Sequence, residues 1–325
     1  MIKRILYTLL IMFPVLASAQ INTDRVMAIG RNALYFEDYV LSIQYFNQVI
    51  NAKPYLSDPY FYRGLAKINL DDFQGAESDC SEAIERNPFV VSAYQVRGLA
   101  RIQQNNFAGA IEDYTKALEF DPENIGVWHN MALCRIRQED YKGAKNDLDK
   151  LIAISPRYTK AYLMRGEVDL KQKDTLAAEK DFGKAIEIDR YDADTWASRA
   201  ILRLQQQRYK DAEADFDHAI RLSTRNSGVY INRALARYHQ NNLRGAMSDY
   251  DIALDIDPNN FIGHYNRGLL RAQVGDDNRA IQDFNFVIEM EPDNMMAIFN
   301  RGLLLDQTGD YKLSLIHISE PTRRS

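Results

Sequence analysis

Catalysis or metal binding in this chain would have to be assembled from five histidines, two cysteines and 45 acidic residues. The histidines are His129, His218, His239, His264 and His317. None has a second histidine or a cysteine three or four residues away, the spacing at which one helix face presents two ligands to a metal. The acidic run 249-DYDIALDIDPNN-260 carries the charge of a calcium loop but lacks its glycine and its closing glutamate. There is no glycine-rich phosphate loop and no cysteine pair at zinc spacing. The expectation is a non-catalytic protein with no metal and no cofactor.

What does recur is charge of both signs at a fixed interval. Arginine stands at Arg63, Arg97, Arg165, Arg199, Arg233, Arg267 and Arg301, in steps of 34 residues with one gap at Met131. Aspartate keeps the same step at Asp79, Asp113, Asp147, Asp181, Asp215, Asp249 and Asp283. Such columns are either an anion-binding ladder or structural ion pairs between two helices, and their matched numbers favour pairs. Ile29 and Tyr45 replace both members in the first unit, and Asp147, which lacks its arginine, has Arg135 one helical turn from the gap. These absences favour pairing inside a unit over pairing to the next.

The elements that must hold these columns follow from the same period. Gly30, Gly64, Gly98, Ala132, Gly166, Ala200, Ala234, Gly268 and Gly302 form a column of small residues, and twelve positions on a second column is alanine or serine throughout. Four further on stand large apolar residues, mostly aromatic, such as Phe46, Tyr114 and Phe284. Within a unit, Tyr94, Gly98 and Ile102 lie on one helical stripe, and Ala110, Tyr114 and Ala117 on another. Gln104-Asn105-Asn106 supplies a turn between them and Asp121-Pro122 ends the second helix. Each unit therefore reads as a helical hairpin, at 23–56, 57–90, 91–124, 125–158, 159–192, 193–226, 227–260 and 261–294, with an incomplete ninth at 295–314. Glycine within a helix costs about 1 kcal/mol relative to alanine. Because alanine substitutes in its column, the requirement is small size, expected where the column faces the second alanine column. Cys80 and Cys134 fall in different units and read as small core residues.

This pattern resembles the tetratricopeptide repeat over roughly residues 23–313. Tyr60, Tyr94, Trp128, Tyr162, Trp196 and Tyr230 match the family's early aromatic, and the glycine, alanine, aromatic and proline columns match its other signature positions. His264 and Ile298 depart from it, which hints at looser packing in the last two units. The resemblance implies an all-α, right-handed superhelical solenoid of stacked hairpins, whose first helices line a concave face that binds extended peptides or partner helices. The arginine column is not part of the general family pattern. On the first helices an apolar row runs through Leu65, Leu99, Leu133, Ile201, Leu235, Leu269 and Leu303. More variable positions beside it carry Phe61, Gln95, His129, Leu163, Ile231, Tyr265 and Phe299, with Asn69, Gln103, Arg137, Lys171, Gln205, His239 and Gln273 one to two turns on. Variation within a rigid frame is where recognition would be written, so these are the candidate peptide-binding residues. The Lys/Asn clamp by which some family members hold a C-terminal carboxylate is missing.

The two ends read differently from the repeats. MIKRILYTLLIMFPVLASAQ has basic residues, an apolar stretch and Ala17-Ser18-Ala19, the grammar of a secretory signal peptide covering residues 1–19. An exported protein, periplasmic or extracellular, is expected, and the repeat style suggests a Gram-negative bacterium. The net charge of −5 and 46% hydrophobic content describe an ordered protein without an electrostatic footprint for nucleic acid. No later apolar run is long enough to span a membrane after signal cleavage. At the other end, 315–325 has no counterpart in any unit, and SLIHISEPTRR looks like a translated sequencing-adapter read-through. The expected partner is a protein or peptide. The alternatives are an N-terminal recognition arm of a larger enzyme or envelope-assembly factor, and glycan binding through tyrosines.

Overall fold

Where the first helix of each complete hairpin stops is marked by one residue in the left-handed region. Glu37, Asp71, Asn105, Glu139, Lys173, Gln207 and Asn241 have φ between 58° and 64°, and Gly275 has φ of 82°. This conformation lets the backbone N–H of the following residue reach back across the helix end, as Asp72 does to the Lys67 carbonyl (3.0 Å) and Asn106 to Arg101 (2.8 Å). That same following residue caps the second helix. Asp38, Asp72, Asn106, Asp140, Asp174 and Asn242 each accept from the N–H three residues on, at 2.9 to 3.1 Å. A turn of three residues, four in the second hairpin, thus ends the first helix and begins the second, although Arg208 and Asp276 make no such side-chain cap.

The computed structural model describes residues 22–307 and divides at Pro156/Arg157 into two units. The first holds four hairpins: α1 (Thr23–Tyr35) with α2 (Tyr39–Ala52), α3 (Asp58–Ile68) with α4 (Phe73–Arg86), α5 (Val91–Gln103) with α6 (Phe107–Phe120), and α7 (Ile125–Arg137) with α8 (Tyr141–Ile154). The second holds α9 (Thr159–Lys171) with α10 (Thr175–Ile188), α11 (Ala193–Gln205) with α12 (Tyr209–Leu222), α13 (Ser227–His239) with α14 (Leu243–Ile256) and α15 (Phe261–Gln273) with α16 (Asp277–Met290), followed by α17 (Met295–Gln307). The leader, the end of the ninth repeat and the 315–325 tail lie outside the described residues. Among the described residues there is no strand, and no helix is long and apolar enough to cross a membrane.

Within each unit a second helix packs on its own first helix and on the first helix of the next hairpin. First helices also touch one another directly, α1 on α3 and α3 on α5 in one unit, α11 on α13 and α15 on α17 in the other. Among the described residues, second helices make no comparable contact with second helices. Successive hairpins are therefore closest along their first helices.

The core of every complete hairpin but the second is one large side chain from the second helix. Phe46, Tyr114, Leu148, Phe182, Phe216 and Phe284 are all but fully buried. These rings explain the small-residue column. A Cβ on Gly98 would lie 2.7 Å from the Tyr114 ring, on Gly30 2.7 Å from Phe46, and on Gly166 2.6 Å from Phe182. The second alanine column is a neighbour at Gly64, as expected, with the Ala76 carbonyl 3.3 Å from such a Cβ, but at Gly30, Gly98 and Gly166 the nearest atoms belong to the ring. The ring one turn beyond the alanine leans back along its helix, as long helical side chains do, and fills the space over the glycine. Gly64 faces the smaller Cys80, 3.0 Å from its sulfur. Both cysteines are buried, and burial pushes their thiols up to about 12.

The departures at His264 and Ile298 do not loosen the packing. Ile298 is buried, and the His264 ring stacks on Phe286 at 4.0 Å while its two nitrogens meet Asp283 and the Pro258 carbonyl, each at 3.0 Å. A leucine at Gly98 must displace Tyr114 from a fully packed site. Gly98→Leu is expected to cost about 3 kcal/mol, read as a lowered urea midpoint by circular dichroism. An unchanged midpoint would remove the close-approach explanation.

Candidate functional site

Two sets of residues were candidates for chemistry, the charged columns and the first-helix face, and their geometries differ. In the charged columns each aspartate of a second helix is buried, with at most 4% of its surface exposed. A carboxylate so placed requires charged partners and full hydrogen bonding. Both come from the first helix of its own hairpin. Arg63 holds Asp79 through Nε (2.8 Å) and Nη2 (2.5 Å), Arg199 holds Asp215 (2.8 and 2.9 Å), and Arg233 holds Asp249 (3.0 and 2.6 Å). The same two-point grip joins Arg97 to Asp113, Arg165 to Asp181 and Arg267 to Asp283.

A second cation one helical turn on completes most of these sites. Lys67 reaches Asp79 at 2.9 Å, Arg101 reaches Asp113 at 3.0 Å, Arg203 reaches Asp215 at 2.7 Å, Arg237 reaches Asp249 at 2.9 Å and Arg271 reaches Asp283 at 2.8 Å. Beneath the first guanidinium lies the early aromatic. Arg63, Arg97, Arg165, Arg199 and Arg233 stand 5.0 to 5.6 Å over the rings of Tyr60, Tyr94, Tyr162, Trp196 and Tyr230. The remaining guanidinium nitrogen binds the preceding hairpin, through Asn47 for Arg63 (2.6 Å), Ser81 for Arg97 (3.1 Å), Asp217 for Arg233 (2.7 Å) and Asp251 for Arg267 (2.9 Å). Pairing is thus within the hairpin for the carboxylate and between hairpins for the third nitrogen. Sequence reasoning missed this acceptor column and the second cations apart from Arg135, although both keep the period of 34. The acidic run is absorbed in the same way: Asp249 lies under Arg233 and Arg237, Asp251 meets Arg267, and Asp257 receives the Asn260 amide at 3.1 Å.

Burial opposes the charge of Arg97, but bonding to Asp113 holds its guanidinium above the ordinary value. Burial likewise pushes the Asp113 carboxyl up, against the pull of Arg97 and Arg101. The two-point bond, with Arg101 beside it, holds both groups in their charged forms. Asp147 is different. Met131 stands where its arginine would be, and Arg135 Nε, 2.9 Å away, makes no aligned hydrogen bond with it. Burial raises the Asp147 carboxyl to about 6, with Arg135 opposing and Asp140 adding to the rise.

The first-helix face carries the predicted binding residues. Asn69, Gln103, Arg137, Lys171, Gln205, His239 and Gln273 are exposed, and Phe61, Gln95, His129, Leu163 and Tyr265 are half-buried. Ile231 is buried in the core with Leu270 and Tyr250, because a small residue, Gly263, lets the next first helix close over it, and it presents no surface to a ligand. Of the apolar row, Leu99 (39%) in the first unit and Leu269 (39%) and Leu303 (45%) in the second are exposed, and Phe299 next to the row in the second unit is 60% exposed. Beside it Phe261, Ile262, Tyr265, Asn294 and Met296 line a cleft of about 330 Å³ between α15 and α17. Tyr265 is fixed there by the Asn300 amide, which donates to its hydroxyl at 3.2 Å. Asn232, Asn266 and Asn300, one period apart and half-buried on successive first helices, are a further column that sequence reasoning passed over.

An all-helical chain of hairpins with this packing is a helical repeat protein. Models of the tetratricopeptide repeat match residues 98–134, 125–158, 159–192 and 198–261. These residues are tetratricopeptide repeats, a family of generally non-catalytic scaffolds that bind proteins and peptides. Its fold is similar to that of a tetratricopeptide repeat protein from Parabacteroides merdae, with a TM-score of 0.59 and 21% identity, over 77% of this chain and 98% of that one. It is also similar to Pseudomonas aeruginosa pilF (TM-score 0.56, 19% identity, 67% of this chain and 97% of that one). A chain of the APC/C hetero-tetramer Cut9–Hcn1 is similar at a TM-score of 0.58 and 14% identity, over 82% of this chain and 52% of that one. No curated protein matches.

If Arg97 and Asp113 act as a pair, Arg97→Ala and Asp113→Ala each lower the melting temperature, and the double variant loses less than their sum by about 1 kcal/mol or more. Strict additivity in that cycle would dissolve the pair. The native state holds a proton on Asp147 between its unfolded value, about 3.9, and about 6. This group therefore lowers stability as pH rises through that window. Met131→Arg supplies the missing guanidinium and is expected to bring the Asp147 carboxyl down and flatten that loss, checked by carbon-13 titration of its carboxyl and by urea melts at pH 4 and pH 6.

Proposed function

We propose that this protein is a non-catalytic scaffold of the cell envelope or periplasm that binds an extended protein segment along its first helices. The observation that carries the reading is the emergence of Leu269, Phe299 and Leu303 beside the Phe261–Met296 cleft, on helices held in place by other residues. An exposed apolar row edged by amides suits a chain that offers apolar anchors and unpaired backbone groups. The Asn232 and Asn266 amides stand one hairpin apart, spaced to meet an extended segment, while the Asn300 amide next in the column holds Tyr265 and the Met296 carbonyl. Affinity comes from a surface already formed before binding, at low reorganisation cost. Export rests on the leader grammar of residues 1–19. The arginines do not compete for this role, since their two-point grips on the aspartates are made within each hairpin.

The test is a random peptide library of about 12 residues displayed on phage and panned against the mature chain. Selected peptides are expected to carry aromatic or aliphatic anchors and to lose about tenfold or more in affinity for Phe299→Asp or Leu269→Asp. Lys116→Ala, on the exposed surface of a second helix, should leave them unaffected. Peptides that bind all three variants equally well would place recognition elsewhere.

A further inference from the structure

One oxygen is missing from the inter-hairpin ladder. For Arg63, Arg97, Arg233 and Arg267 the acceptor of the third nitrogen lies 16 residues upstream, at Asn47, Ser81, Asp217 and Asp251, and Asn285 likewise receives Arg301 Nη1 at 2.8 Å. Sixteen residues before Arg199 stands Gly183. Arg199 keeps its two-point grip on Asp215, but among the described residues no protein oxygen accepts from its Nη1. The place is open: a Cβ added to Gly183 would meet nothing within 4 Å. The side chain of Arg199 is only 16% exposed and lies over the Trp196 ring, so the donor is held still.

We propose that the notch over Gly183 is an anion site that takes one carboxylate onto Arg199 Nη1. The carboxylate would occupy the place that Asp217 and Asp251 fill in the next two hairpins. Nearby negative charge is already matched. Glu179, one turn before Gly183, is held by Arg203 (3.1 Å) and Arg208 (2.8 Å), and Glu187, one turn after, by Lys184 (2.9 Å). The site beside Asp217 has the same surroundings, with Glu213 bound by Arg237 at 2.7 Å, and it accommodates a carboxylate. A doubly charged anion would bring surplus charge next to Asp215 and Glu179, so a single carboxylate fits better. This inference does not depend on the peptide-binding face, because neither Gly183 nor Arg199 belongs to it.

Sodium acetate, titrated against sodium chloride at equal ionic strength, is the probe, with the side-chain nitrogen-15 resonances of Arg199 as the readout. A saturable shift is expected in the wild type and in Gly183→Ala, which raises helix propensity without supplying an oxygen. Gly183→Asp places the carboxylate within the chain. It should abolish the acetate response and melt about 2 °C or more above Gly183→Ala. A capped Gly-Asp-Gly peptide, titrated in the same way, separates the sources. Binding tenfold tighter than acetate assigns the site to an acidic side chain of a partner, and equal binding assigns it to a free carboxylate. No saturable shift in the wild type, or an equal shift in Gly183→Asp, overturns the proposal.

Discussion

A carboxylate removed from water between two helices is the constraint around which each hairpin is organised. Asp113 has almost no contact with solvent, so Arg97 and Arg101 must both reach it from the facing helix. Breaking such a buried pair from one side costs about 3–5 kcal/mol, although a well-packed apolar replacement of both sides is often no less stable. The interaction is therefore better understood as fixing register than as adding stability. Two helices that share a two-point guanidinium–carboxylate bond cannot slide along one another, and the third nitrogen extends that restriction to the neighbouring hairpin.

This arrangement separates frame from surface. The arginines spend their donors on Asp79, Asp113, Asp215, Asp249 and Asp283 and on the preceding second helix, so a column that looks like an anion-binding ladder is mostly closed. Glycines and rings close the other side of each hairpin, as Gly98 does with Tyr114. The residues left with freedom to vary are those on the first helices, where Leu99 comes to the surface in the first unit and Leu269, Phe299 and Leu303 do in the second.

Irregular positions are accommodated by different local means. At Met131 the carboxylate below loses its two-point partner, and burial then raises Asp147. At His264 an imidazole replaces the early aromatic and still serves as a stacking surface, with Phe286 over it and Asp283 at its edge. Arg301, buried with Asn285 as its acceptor, has its guanidinium pulled down by burial.

The 34-residue period, the hairpins, their turn at Gln104-Asn105-Asn106 and the joint presence of Arg97 and Asp113 could all be read from the chain, because each is a matter of spacing along one or two helices. Periodicity says which residues share a helix face. It does not say which side chain of a neighbouring helix will fill the space above that face. Only the packed structure showed that Gly98 makes room for the Tyr114 ring rather than for an alanine, and that Ile231 is covered while Leu269 and Phe299 are not. The same is true of the third arginine nitrogen, whose acceptor comes from the preceding hairpin. Side-chain reach across a helix interface is a distance in space, and a spacing in sequence does not contain it.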